Sequence, residues 1–533
     1  MTSFFIETYG CSHNFADSEQ MAGLLQQARF NPAEKLEDAD IVIINTCTVK
    51  TPEENGFFAR LEQLQQDFPY KTLIIAGCVP QTNSEKLKQY SLVGTRSLHR
   101  IVEIVEEAIN DNVVKALETG EMPPLNLPKI RKNPVIEIIP ISRGCVSECT
   151  FCKVKEARSD LRSYPIEDIV NVAAMAVSQG VKEIWLTSQD CFCYGFDIDT
   201  NLPSLLKELM KLPGNFMVRV GMGNPANLKK IKDELFPLLN EKRMFKYLHA
   251  PLQSGSNKVL KDMKREYTHQ EYGEMISEVK RLVPEVHLVT DVIVGYPTEK
   301  EEDYWETLTL FRKVNPALAN ISRFWPRSKT PAAKLKMQPK DEIAHRLKVL
   351  NDIFENISKL HNERWLDWEG DILIDEIFDR KEEKKEEGKE DKKEMNSRDG
   401  EVIQHIEESK DIENERQKRV AEEGEDRKEE KGRIQERERN SEKIQASLKI
   451  APEKKLEEKM RFEKPFLENQ VLEKKEEKED LSLSAGKKWI GRNESYKPII
   501  VQGDFKLGDV VKVKVVKVNN LGLCGKIVYG KDV

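Results

Sequence analysis

The chain has 533 residues, 39% hydrophobic and 33% charged, with a formal net charge of −7 and nine cysteines. That length accommodates roughly three domains. No apolar run approaches the ~18 residues of a membrane span and no apolar leader precedes the first strand, so a membrane protein is excluded and a cytoplasmic one is expected. The cysteines are odd in number and clustered, which excludes a secreted disulfide framework and indicates metal or redox use in a reducing compartment. The acidic balance argues only weakly against nucleic acid, because it averages over regions that differ greatly.

Residues 1–115 alternate β-rich runs with helical patterns. Residues 4–8, 41–45 and 72–76 are predicted as buried parallel strands, with helices at 17–28 and 53–66. The result is an open α/β sheet, where ligands sit beyond the carboxyl ends of the strands. A cysteine follows each of the three strands: Cys11, Cys47 and Cys78. Any one of them could be a small buried hydrophobe, but three at equivalent strand ends read better as a three-thiolate site. Pro123, Pro124, Pro128 and Pro134 mark residues 116–134 as a linker.

A second alternation occupies residues 135–365, with strands at 135–141, 183–187, 216–220, 245–249, 286–294 and 318–324 and helices between them. Six βα repeats make a partial barrel, with chemistry on the loops after the strands. The first of these loops carries Cys145, Cys149 and Cys152 at C-x3-C-x2-C spacing. Structural zinc takes a closed set of four ligands, so three thiolates on one loop fit better a cubane iron–sulfur cluster with one iron open; a zinc knuckle with a distant fourth ligand is the alternative. Later strand ends carry Thr187-Ser-Gln-Asp190, His249-Ala-Pro-Leu-Gln-Ser-Gly255 and Ile293-Val-Gly-Tyr-Pro-Thr-Glu299, whose glycines and amides suit close approach to a ligand. Cys191 and Cys193 read as tolerated small residues rather than a metal-binding or sulfur-carrying pair. His13 and His249 read as packing or hydrogen-bonding residues at strand ends. There is no Ser/His/Asp or paired-carboxylate constellation.

Residues 370–378 are strand-like, and residues 379–486 are a Glu/Lys/Arg-rich low-complexity run that cannot bury a core. Strands resume at 498–501, 509–518 and 525–528. Residues 487–533 hold ten Lys/Arg against four Asp/Glu. The alternating Lys512, Lys514 and Lys517 there suit a phosphate track, which resolves the acidic balance of the whole. Cys524 has no inferred role.

Together these motifs resemble the radical S-adenosylmethionine methylthiotransferases along nearly the whole chain apart from the charged run. The Cys145–Cys152 loop resembles the signature of the radical enzymes at large. Gly10-Cys11, Asn45-Thr-Cys47 and Gly77-Cys-Val-Pro-Gln81 resemble the N-terminal domain particular to the methylthiotransferases. Thr8-Tyr-Gly-Cys-Ser-His-Asn14, Lys153-x-Lys-x-Ala-Arg158 and His249-Ala-Pro-Leu-Gln-Ser254 resemble the archaeal and eukaryotic branch, which modifies N6-threonylcarbamoyladenosine in tRNA. Residues 366–378 with 487–533 resemble a TRAM domain, an RNA-binding β-barrel whose first hairpin holds the 379–486 insertion.

The resemblance implies an N-terminal open parallel α/β domain (1–115), a partial (βα)6 radical barrel (135–365) and the interrupted small β-barrel. It further implies two 4Fe-4S clusters, one on Cys145, Cys149 and Cys152, and an auxiliary one on Cys11, Cys47 and Cys78. The first would bind S-adenosylmethionine and generate the radical that abstracts hydrogen from adenine C2; the second would present the sulfur. An unactivated aromatic C–H offers acid–base residues nothing, which agrees with a radical cofactor. Phe151, Ser188, Gln189, Gln253, Ser254 and Gly295 are expected at the cofactor, and Lys155, Arg323, Lys512, Lys514 and Lys517 at RNA. The expected partners are tRNA, an electron donor and a sulfur source, the chain itself being a monomer. The rival substrates are isopentenyl-adenosine in tRNA and a ribosomal-protein aspartate, and the rival class is a zinc-bearing RNA-binding scaffold.

Overall fold

The computed structural model describes residues 2–48, 51–118, 120–378, 487–519 and 522–528; the expected charged insertion, 379–486, lies outside them. The first sheet contains β1 (Ser3–Thr8), β2 (Asn31–Pro32), β3 (Ile41–Thr46), β4 (Thr72–Gly77), β5 (Ser91–Val93) and β6 (Lys115–Ala116), all parallel, in spatial order 2-1-3-4-5-6. β3 is buried at every position. Ile41 and Ile43 pack with Met21, Leu25 and Ile104, while Val42 and Ile44 pack with Phe57, Leu61 and Leu64. Burying side chains of this size contributes about 1.5–3 kcal/mol each, which explains the unbroken apolar run. The three predicted strands are neighbours at the centre, so Cys11, Cys47 and Cys78 leave from one edge. The short outer strands carry too few residues to show a period.

The helix expected from residue 17 starts earlier, as α1 (Ser12–Gln27), with Cys11 at its N-cap. The proline-marked segment packs against this helix. Ile130 N–H donates to the Glu19 carbonyl (2.9 Å), and Gln20 Nε2 donates to that of Leu125 (3.2 Å).

The central region holds β7 (Ile136–Pro140), β8 (Ser142–Arg143), β9 (Arg162–Ser163), β10 (Glu183–Thr187), β11 (Met217–Val220), β12 (Tyr247–His249), β13 (His287–Val294) and β14 (Leu318–Arg323). Parallel pairing runs 7-10-11 and 12-13-14, and a Val218–Met244 bridge joins the two halves into the expected six-stranded partial barrel. An antiparallel β8–β9 ribbon, not expected from the residues, fixes both ends of the cysteine-bearing loop.

The last region is a closed barrel of β15 (Glu369–Ile377), β16 (Lys488–Arg492), β17 (Pro498–Gln502), β18 (Val510–Val518) and β19 (Leu523–Ile527), in order 15-16-17-19-18. Ile372, Ile374, Trp489, Ile499, Val501, Val513 and Val515 fill it. β15 precedes the insertion, yet it pairs with both β16 and β18. The β16–β17 turn docks on the central barrel: Lys246 N–H donates to the Glu494 carbonyl at 2.8 Å, and the Tyr496 ring packs edge-on to Phe245 (4.8 Å), Tyr247 (5.4 Å) and Trp185 (6.2 Å). Among the described residues no helix is long and apolar enough to cross a membrane.

Candidate active site

Each sulfur on the β8–β9 loop accepts an N–H hydrogen bond. Ser147 N–H reaches Cys145 Sγ, Val154 N–H reaches Cys152 Sγ and Arg265 Nη1 reaches Cys149 Sγ, each at 3.4 Å. Donors aimed at sulfur stabilise thiolates, the form in which cysteine ligates metal. Burial, reinforced by Asp190, pushes the free Cys145 thiol up to about 11, so a bound metal has to supply the pull that deprotonates it. No three His, Cys, Asp or Glu side chains among the described residues converge as a single-ion site. A tetrahedral zinc would need its sulfurs about 3.8 Å apart, from Zn–S bonds of about 2.3 Å. A cubane, which seats each thiolate on a separate iron, asks for wider spacing. Three cysteines on one loop, each sulfur with an N–H donor, are a donor set that suits an iron–sulfur cluster.

The other three cysteines meet around the first turn of α1. Gly10 has φ +107° and Gly77 has φ +92°. A side chain at Gly10 would lie 2.6 Å from Cys47 Cβ, and one at Gly77 would lie 2.3 Å from Asn45 Oδ1. Glycine at each place lets the strand ends close on one another. Cys11 Sγ donates to Asn14 Oδ1 (3.4 Å), while Asn14 Nδ2 donates to the Thr46 carbonyl beside Cys47 (2.8 Å). Arg158 donates to the same Asn14 Oδ1 (3.2 Å) and acts on Cys78 by hydrogen bond and charge.

Charged groups join the two cysteine sets. Asp17 receives Arg143 Nη2 on Oδ1 (2.7 Å) and Arg158 Nη1 on Oδ2 (3.1 Å), and all three are buried. A second link runs from Gly144 N–H to Gln189 Oε1 (2.7 Å), and then from Gln189 Nε2 to His13 Nδ1 (3.1 Å). Burial, Arg158 and Arg143 hold His13 well below the usual imidazole range, so it stays neutral. His249 Nε2 faces Asp291 Oδ1 at 3.2 Å.

One cavity of about 1260 Å3 is lined by Cys11, Cys145, Cys149 and Cys152 together with Phe151, Ser188, Gln189, Gln253, Lys155 and Arg323. Its far wall holds Trp185, Arg219, Tyr247 and Arg492. Two residues expected at the cofactor do not reach it. Ser254 is fully buried against Thr307 (3.3 Å), and Gly295 packs on Ile343 with its N–H on Glu299 (2.7 Å). Gln253 keeps a buried Oε1 without a hydrogen-bond partner. Lys512 and Lys514 lie outside the cavity, facing Glu369 (3.1 Å) and Asp367 (3.0 Å), and a bulge between Val515 and Lys517 turns Val518 into the core and so keeps Lys517 on the same face as the other two. Cys191 and Cys193 are fully buried and donate to the Leu186 and Asp190 carbonyls (3.7 and 3.2 Å), and Cys524 is buried in β19. Sequence reasoning missed Asp17, Arg143, Arg158 and Arg265. Arg143, two residues before Cys145, and Arg158, at the end of the Lys153–Arg158 motif, carried a local signal; Asp17 and Arg265 carried none.

Residues 3–94 match the Uncharacterized protein family UPF0004, residues 139–311 the Radical SAM superfamily and residues 479–528 the TRAM domain. A probable threonylcarbamoyladenosine tRNA methylthiotransferase of Pyrococcus horikoshii is 37% identical over 379 residues, 70% of this chain and 89% of that protein. The chain belongs to the threonylcarbamoyladenosine tRNA methylthiotransferase family. Members from Drosophila melanogaster and Homo sapiens are 42% and 41% identical over 361 and 364 residues, 66% of this chain in both cases. The chain spans 65% of the fly methylthiotransferase and 62% of the human one. Among solved structures, the radical S-adenosylmethionine methyltransferase TsrM of Kitasatospora setae aligns over 62% of this chain and 77% of its own at 13% identity and TM-score 0.47, a remote likeness. The TRAM match covers β16–β19; β15, their partner from before the insertion, lies outside it.

Proposed function

We propose that this methylthiotransferase converts N6-threonylcarbamoyladenosine just 3′ of the tRNA anticodon (position 37) to its 2-methylthio derivative, working as a cytoplasmic monomer with an electron donor and a sulfur source. The reading rests above all on two three-cysteine sets, tied together through Asp17, of which Cys11, Cys145, Cys149 and Cys152 line one cavity. Cys145, Cys149 and Cys152 would hold one 4Fe-4S cluster, and Cys11, Cys47 and Cys78 a second. With S-adenosylmethionine bound, these groups supply radical hydrogen abstraction and a transferable sulfur. The chain's own residues hold and orient. Ser147, Val154 and Arg265 stabilise the first set of thiolates, Arg158 stabilises Cys78 in the second, and Asn14 ties Cys11 to the strand end at Thr46. Phe151 provides an apolar wall beside the first set, packed with Tyr296 and Phe324. Gln189 fixes Gly144, and with it the entry to the loop. Lys155 and Arg323, on the cavity wall, suit phosphate or base contact, and the C-terminal barrel adds the exposed lysines of β18.

The deciding experiment is iron and acid-labile sulfide per chain after anaerobic reconstitution, in the wild type and in a Cys11→Ala/Cys47→Ala/Cys78→Ala variant. About eight irons falling to about four is the expected result. Four in both would leave a single-cluster radical enzyme and remove the methylthio assignment, and a colourless zinc protein would remove both. Nucleoside analysis of tRNA from a deletion strain then identifies the substrate by which 2-methylthio nucleoside disappears.

A further inference from the structure

The cavity lining also contains a guanidinium with no acidic partner among the described residues. Arg219, on β11, stands beside Trp185 of β10 in register, with its guanidinium carbon 3.9 Å from the Trp185 ring centre. Tyr496, from the β16–β17 turn of the C-terminal barrel, closes a second side at 4.9 Å, and Tyr247 a third at 5.6 Å. Arg219 Nη1 donates to the Tyr496 hydroxyl (3.0 Å), whereas Nε is buried with no hydrogen-bond partner. Neither nearby carboxylate hydrogen-bonds to it: Glu183 accepts the Trp185 indole N–H on Oε2 (2.7 Å) and keeps Oε1 buried, and Asp375 accepts Arg492 Nε on Oδ2 (2.6 Å).

Two other arginines that line the cavity are already committed. Arg265 faces Cys149, and Arg327 faces Glu54 at 2.5 Å. Arg323 is exposed and stacks on Trp325 at 3.7 Å, as suits a contact at the mouth. A half-buried guanidinium carries part of a desolvation cost that a well-placed anion offsets, and its planar fork matches a carboxylate. Here aromatic rings hold it rigidly, leaving donors toward a space otherwise walled by Trp185, Tyr247 and Ile138. Such a wall accepts a flat base with a compact anionic substituent and offers nothing to a run of backbone phosphates.

We infer that Arg219, caged by Trp185, Tyr247 and Tyr496, binds the carboxylate of the target adenosine's N6 substituent and so selects the threonylcarbamoyl base over uncharged N6 groups. This rests on the proposed function. It also gives the C-terminal barrel a part in recognising the base itself, since Tyr496 orients the fork.

The test uses the reconstituted full chain and two synthetic anticodon stem-loops, one with N6-threonylcarbamoyladenosine and one with its methyl ester. Arg219→Gln is expected to raise KM for the acid roughly 10- to 100-fold, the worth of charge-assisted hydrogen bonds. It should leave KM for the ester, the S-adenosylmethionine Kd and the iron content near wild type. Equal losses on acid and ester would make Arg219 a packing residue and overturn the inference. So would weaker S-adenosylmethionine binding with KM for RNA unchanged, which would assign the guanidinium to the cofactor's carboxylate. Should Arg219→Gln fail to fold, Arg219→Lys keeps the charge without the fork and is read by the same acid-against-ester comparison. A wild type that modifies neither RNA would instead overturn the functional reading.

Discussion

Asp17 holds two arginines that bracket the Cys145–Cys152 loop, and all three side chains are almost completely out of water. Removing one partner of a buried ionic set leaves uncompensated charge, at about 3–5 kcal/mol. Asp17→Asn is therefore expected to lower the thermal midpoint of the metal-free chain by several degrees. It should also loosen Arg158 from Asn14, so that in the reconstituted enzyme S-adenosylmethionine cleavage continues while methylthiolation per cleavage falls. An unchanged midpoint with an unchanged product ratio would remove Asp17 from this role. The cysteines were legible in the sequence because their cues are local, a strand end or a fixed spacing. Asp17 was not, since its partners stand 126 and 141 residues away and only the fold brings them together. Ser254 and Gly295 show the reverse. Their motif drew them to the cofactor, but their atoms are spent on Thr307, Ile343 and Glu299.

At the scale of elements, buried parallel strands declared themselves by uninterrupted β-branched runs, and the barrel repeats by alternation with helices. The β8–β9 ribbon and the outer strands of the first sheet were invisible because two or three residues fix no period. The β18 lysines illustrate another limit: residues 512, 514 and 517 share a face only because a bulge shifts the register after Val515, which strict alternation does not show. The β16–β17 turn, which carries Tyr496, also carries a testable charge. Burial pulls the Lys497 ammonium down to about 8 from 10.5. Below pH 8 the folded chain bears the cost of a buried cation. Between about 8 and 10.5 the unfolded chain keeps its proton while the folded one has shed it, so stability rises with pH across that window. Lys497→Met should thus raise the thermal midpoint at pH 7, and the gain should fade between pH 8 and 10.5. A gain that does not depend on pH would point to packing instead.

For the molecule as a whole, the described residues on either side of the insertion lie next to each other, with Phe378 N–H donating to the Lys488 carbonyl at 3.0 Å. A hairpin loop of about 2–5 residues spans such a gap. Replacing residues 384–480 with a short loop is expected to leave thermal midpoint, iron content and turnover unchanged. A variant that folds and loads iron yet loses turnover would show that the charged run takes part in catalysis.

The placement of β15 also sets a schedule. Ribosomes add about 5–20 residues per second, so this strand waits for on the order of ten seconds before β16 to β19 exist to pair with it. Until then its edges are open to wrong partners. Tyr496 emerges in the same late stretch, so the wall around Arg219 is completed only after the insertion has been made. A chain truncated before residue 496 would carry every cysteine of both sets and still lack the finished pocket.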